Sequence, residues 1–99
     1  MKRFRQIIKE KRAEKKLYLR EVSALMNIDQ AILSKFERGE RKPSKEQVIK
    51  FANLFDLNQE ELLISWYSDN IVNALANEKN AIKILQLAEQ KVKYLKSNK

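Results

Sequence analysis

The chain has no cysteine, no histidine, and only one glycine and one proline in 99 residues. Without cysteine there is neither a disulfide nor a thiolate zinc site. Without histidine the commonest general base and metal ligand are missing. No pair of carboxylates converges in the sequence, so the composition argues against an enzyme and predicts no metal and no cofactor. The apolar runs are far too short to cross a bilayer, and the basic N-terminus lacks the apolar region of a signal peptide. These features predict a soluble cytoplasmic protein with no membrane partner and no evident small-molecule ligand. The scarcity of glycine and proline, with no sustained alternation of apolar and polar residues, excludes a turn-rich β fold.

What is present is charge, unevenly placed. The net charge is +8. Residues 1–20 carry nine Lys or Arg against two Glu, a net of +7, whereas residues 51–77 contain no Lys or Arg and sum to −4. A basic end beside an acidic middle suits a polyanionic partner on one side only. Charge by itself does not separate DNA, RNA and an anionic membrane.

Apolar spacing is helical nearly throughout, which predicts an all-α protein. A first helix is expected over about residues 3–15, with Phe4, Ile7 and Ile8 inward. A second spans 19–26 and is stopped by Asn27, which tolerates the left-handed conformation. Asp29 has the chemistry to cap a third helix over 30–38, and Gly39 stops it. Ser44 with Gln47, and Asn58 with Glu61, are capping boxes for a fourth and a fifth helix. Ser68 or Asp69 is expected to open a short sixth helix, and Asn77 or Asn80 a last one running to about residue 96. In that last helix Ala81, Leu85, Ala88, Val92 and Leu95 step by 4, 3, 4 and 3 residues, the spacing of a helix–helix seam.

The stretch LYLREVSALMNIDQAILSKFERGERKPS, residues 17–44, therefore reads as two short helices, a tight turn and a basic loop. It resembles the phage-repressor and Cro type of helix-turn-helix, the XRE family. The register is carried by Ile28 to Gly39 and by Arg41-Lys42-Pro43-Ser44, and the likeness covers about residues 4–63. The resemblance implies a five-helix repressor-type domain, residues 1–66, followed by a C-terminal helical extension, residues 67–99. It makes the third helix the recognition helix, with Gln30, Ala31, Ser34 and Lys35 facing the bases. Gln30 can bond adenine, Lys35 can donate to guanine, and Ala31 can touch a thymine methyl. It places Arg38, Arg41, Lys42 and Lys45 on the phosphate backbone, with Lys2, Arg3 and Arg5 as a further basic cluster. Arg12 and Glu37 match positions that pair as a buried ion pair, while Leu33 and Phe36 belong to the core.

The sequence also departs from the family. Leu19 stands where the family has a phosphate-gripping Gln. Lys16, Asn27 and Asp56 stand where it favours glycine; Asn and Asp adapt to that backbone, but Lys16 predicts a different first turn. The extension is expected to dimerise through Trp66, Tyr67, Ile71, Leu75, Leu85, Ala88, Val92 and Leu95, folding back on its own domain being the alternative. The reading is a sequence-specific transcriptional regulator, in action a repressor or an activator, binding double-stranded DNA as a homodimer on a two-fold operator. The short extension also resembles controllers of restriction–modification systems. The competing function is a protein-interaction module of the same fold, as in antitoxins.

Overall fold

Helix ends in this chain are set by a recurring backbone device. A computed structural model describes residues 1–97, which form α1 (Phe4–Glu14), α2 (Leu19–Met26), α3 (Gln30–Arg38), α4 (Lys45–Leu54), α5 (Gln59–Leu75) and α6 (Ala81–Ser97). The expected extension reaches residue 99, so its last two residues lie outside the described ones. Each of the first four helices closes with a residue at positive φ: Lys16 at 54°, Asn27 at 56°, Gly39 at 75° and Asp56 at 55°. In each, the next residue's N–H donates back into the last turn. Leu17 bonds the Arg12 carbonyl at 3.0 Å, Ile28 the Ser23 carbonyl at 3.0 Å, Glu40 the Lys35 carbonyl at 2.9 Å and Leu57 the Ala52 carbonyl at 2.8 Å. This is the Schellman closure, which satisfies carbonyls a helix end would otherwise strand.

At three of these turns the residue after the left-handed position is apolar, and Leu17, Ile28 and Leu57 all pack against the core. That burial explains Lys16. The sequence predicts a different first turn there, but the turn is of the same kind, and lysine takes the left-handed conformation. Seating Leu17 outweighs a local cost of about 1–2 kcal/mol. Lys16→Gly is accordingly expected to raise stability by about 1 kcal/mol, less than the full strain because glycine also loosens the unfolded chain. Thermal unfolding checks this, as a rise of about 4–8 °C.

Helix starts are equally local. Ser44 Oγ accepts from the Gln47 N–H at 3.2 Å, and Gln47 Oε1 accepts from the Ser44 N–H at 2.8 Å. Asn58 Oδ1 accepts from the Glu61 N–H at 2.9 Å to open α5.

The core gathers Phe4 and Ile8 of α1, Val22 and Met26 of α2, Leu33 and Phe36 of α3, Val48, Phe51 and Ala52 of α4, Phe55 and Leu62. Phe51 is its hub. Its ring lies 5.9 Å from Phe4 and 6.4 Å from Phe36, both edge-on, and stacks on Phe55 at 6.1 Å.

One helix differs from expectation. The fifth and sixth helices foreseen in the sequence are a single one, α5. Neither foreseen cap turns toward that helix start: Ser68 Oγ donates to the Ser65 carbonyl one turn back at 2.9 Å. Asp69 Oδ2 accepts from the backbone N–H of Phe4 at 2.7 Å. Asp69 thus caps α1, which has no acidic residue in its own first turn, and brings a carboxylate to the positive end of that helix.

The chain divides into two units, Met1–Asp69 and Asn70–Lys99. In the second, α6 buries none of its described side chains. Among the described residues no helix is long and apolar enough to cross a membrane.

Candidate nucleic-acid interface

The two sides of α3 have opposite character. Leu33, Phe36 and Glu37 are buried, while Gln30, Ala31, Lys35 and Arg38 are exposed and Ser34 is half-buried. Residues 30, 34 and 38, with 31 and 35 beside them, recur at the three- and four-residue spacing that keeps side chains on one helical face. Asp29 Oδ1 accepts from the Ala31 N–H at 3.5 Å, so the cap belongs to the same helix start that carries Gln30.

A buried ion pair holds the helix from behind. Glu37 Oε2 accepts from Arg12 Nε at 2.8 Å, and Oε1 from Nη2 at 3.0 Å. Arg12 Nη1 also donates to the Leu17 carbonyl at 3.1 Å. One guanidinium therefore ties α3 to α1 and to the turn that precedes α2. Its hydrogen bond to Glu37 raises the Arg12 pKa above its ordinary value, against the opposing effect of burial. A raised pKa on a cation keeps the pair's contribution intact below the ordinary value and loses it only as pH rises beyond it. The Arg12 guanidinium is thus held in its cationic form.

The loop after α3 is basic and open. Arg41, Lys42 and Lys45 are exposed while Pro43 is buried, anchoring the loop. No ion pair engages these three cations among the described residues. Lys45 begins α4, whose first N–H groups add donors of the kind that hold phosphate. Arg38 is differently placed: its Nη1 donates to Ser34 Oγ and its Nε to Glu40 Oε2.

The N-terminal cluster separates. Lys2 pairs with Glu10 at 2.6 Å. Arg5 instead lies against Gly39, where a Cβ would come within 2.8 Å of Arg5 Cδ and 3.1 Å of Nε. Gly39 takes its positive φ without the steric cost the other three turns carry, and Arg5 lies across its open face, adding a cation to the end of α3.

Leu19 is half-buried against the core. Beside it, Arg20 stacks over the Tyr18 ring at 4.5 Å, both side chains exposed at the start of α2. Sequence reasoning passed over this pair; an aromatic and a basic residue flanking a helix start was the available signal. Of the residues expected at a dimer interface, Trp66 packs against the core with its indole N–H buried and unpartnered, and its ring meets Tyr67 at 4.8 Å. Tyr67, Ile71, Leu85, Ala88, Val92 and Leu95 are exposed, and Leu75 is half-buried.

A capped two-helix turn, a core-anchored second helix with a polar outer face and a basic loop beside it define a helix-turn-helix DNA-binding protein. A helix-turn-helix family model matches residues 8–62. The chain belongs to that family, in its XRE type, and is a DNA-binding transcriptional regulator; the family is not one of enzymes. No curated protein matches the chain.

Proposed function

We propose that this regulator binds a two-fold operator as a homodimer, reading bases with Gln30, Ala31, Ser34 and Lys35. The observation that carries the reading is the outer face of α3, polar and exposed on a helix whose opposite side is locked in the core. Arg41, Lys42 and Lys45 grip the phosphates on one flank, and the exposed Arg20 at the start of α2 supplies charge where Leu19 supplies none. Such a protein acts in the compartment that holds the DNA.

Pairing is supported by α6. Its 17 residues exceed by little the length at which a lone helix is even marginal in water. Ile82, Ile84, Leu85, Leu87, Val92, Tyr94 and Leu95 are all exposed on it, and Ala81, Leu85, Ala88, Val92 and Leu95 keep the seam spacing. A second copy presents the same seam, and a two-fold pair matches the symmetry of a two-fold operator. The short extension also fits a controller of a restriction–modification system, which binding upstream of such genes would test.

Selection from a random DNA pool, followed by titration at several salt concentrations, tests the reading. Gln30→Ala and Lys35→Ala should each relax preference at one base pair by about 1–3 kcal/mol. Arg41→Ala should weaken all sequences alike and lower the salt slope by about 0.9. Sequence-dependent loss in Arg41→Ala with none in Lys35→Ala would reverse these roles. A monomeric mass in solution would remove the homodimer. Absence of any DNA binding at low salt would favour the protein-interaction module.

A further inference from the structure

We propose that Arg38 reads a base, and that Glu40 is the positioning residue that aims it. This rests on the reading of α3 as the recognition helix. The sequence places Arg38 on the phosphate backbone, but its side chain does not run outward into the loop. It runs back along α3, as helical side chains do, and its Nη1 donates to Ser34 Oγ one turn toward the N-terminus. Ser34 shares its face with Gln30, Ala31 and Lys35, so the guanidinium lies at the level of the base-facing residues.

Glu40 fixes its orientation by accepting from Nε. With Nε and one Nη1 hydrogen engaged, Nη2 and the second Nη1 hydrogen remain. Those two nitrogens form the end of the fork that matches O6 and N7 of guanine. The side chain is 56% exposed, so that end is open to a ligand.

Glu40 has no other evident purpose. It follows Gly39 at the position where the equivalent turns carry Leu17, Ile28 and Leu57, each packed on the core. Here that position is exposed and acidic. A carboxylate among Arg5, Arg38, Arg41, Lys42 and Lys45 opposes phosphate binding. An exposed ion pair of this kind also adds little to stability. A group that lowers general affinity without supporting the fold makes sense as one that orients its partner: it trades non-specific attraction for discrimination.

The full-length chain and its Arg38→Lys, Arg38→Ala and Glu40→Gln variants should be compared by random-pool selection and by titration against random duplex over a salt series. Arg38→Lys keeps the charge and loses the fork. It should lose about 5- to 150-fold in preference for one guanine while binding random DNA as the parent does. Glu40→Gln should bind random DNA several-fold tighter and show a weaker preference at the same guanine. Melting temperatures within a few degrees of the parent confirm that all variants fold. Selection of the parent's sequence by Arg38→Lys, or a uniform loss in Arg38→Ala rescued by lysine, would return Arg38 to the phosphates. Selectivity unchanged in Glu40→Gln would remove Glu40's positioning role. A parent that selects no sequence would overturn the operator reading itself, and this proposal with it.

Discussion

Arg12→Ala is expected to cost about 3–5 kcal/mol, because it leaves the buried Glu37 carboxylate unpaired behind α3. Glu37 is 8% exposed and accepts two hydrogen bonds, 2.8 and 3.0 Å, from that one guanidinium. The substitution also removes the donor to the Leu17 carbonyl. A domain of this size holds about 5–10 kcal/mol of net stability, so the variant should melt more than about 12 °C lower. The double variant Arg12→Met with Glu37→Leu is the control. Buried ion pairs replaced by apolar groups of similar volume are often neutral or better, so the double variant should recover most of the loss. If the single and double variants melt together, lost packing of the arginine stem, not the stranded charge, is the cause. Operator affinity should follow the fraction folded, since neither residue lies on the outer face of α3.

Phe51→Ala should cost a similar 3–5 kcal/mol by a different route, the loss of a buried ring and the cavity left in its place. Phe51 is fully buried and its ring meets those of Phe4, Phe36 and Phe55. It therefore links α1, α3 and the end of α4 at once. Phe51→Leu should retain most of the packing and lose about 1–2 kcal/mol. Urea unfolding separates the two, with an unchanged slope showing that the denatured state is unaltered. A loss near 1 kcal/mol in the alanine variant would mean that the three remaining rings close over the gap, and that Phe51 is no hub.

The elements that could be read from sequence are those whose signals are local. Asn27, Asp29 and Gly39 lie within two residues of the boundaries they set, and α2 and α3 begin and end where those residues place them. The capping pair of Ser44 and Gln47 is equally self-contained. The unbroken α5 was not legible, because Asp69 looks like a cap for its own segment and its real partner, Phe4, is 65 residues away. Lys16 misleads for a related reason: its own preference is overruled by the neighbour that must reach the core. At the interface, the outward positions of α3 follow from helical spacing alone. The path of Arg38 does not, since it depends on which of several rotamers finds Ser34 and Glu40. Arg5 could be flagged as basic from sequence, but its place against Gly39 comes only from the packing of α1 on α3.

The bond from Phe4 to Asp69 has a consequence for the order in which the chain is made. Phe4 is synthesised 65 residues ahead of its acceptor, which is the last residue of its unit. At ordinary elongation rates the interval is on the order of several seconds. Through that time the nascent first helix has no carboxylate at its leading end, and none in its own first turn to substitute. The final clasp therefore closes only after α3 and the basic loop behind it have been synthesised. A nascent chain stalled before residue 69 would carry the complete helix-turn-helix on a domain whose first helix is still unfastened.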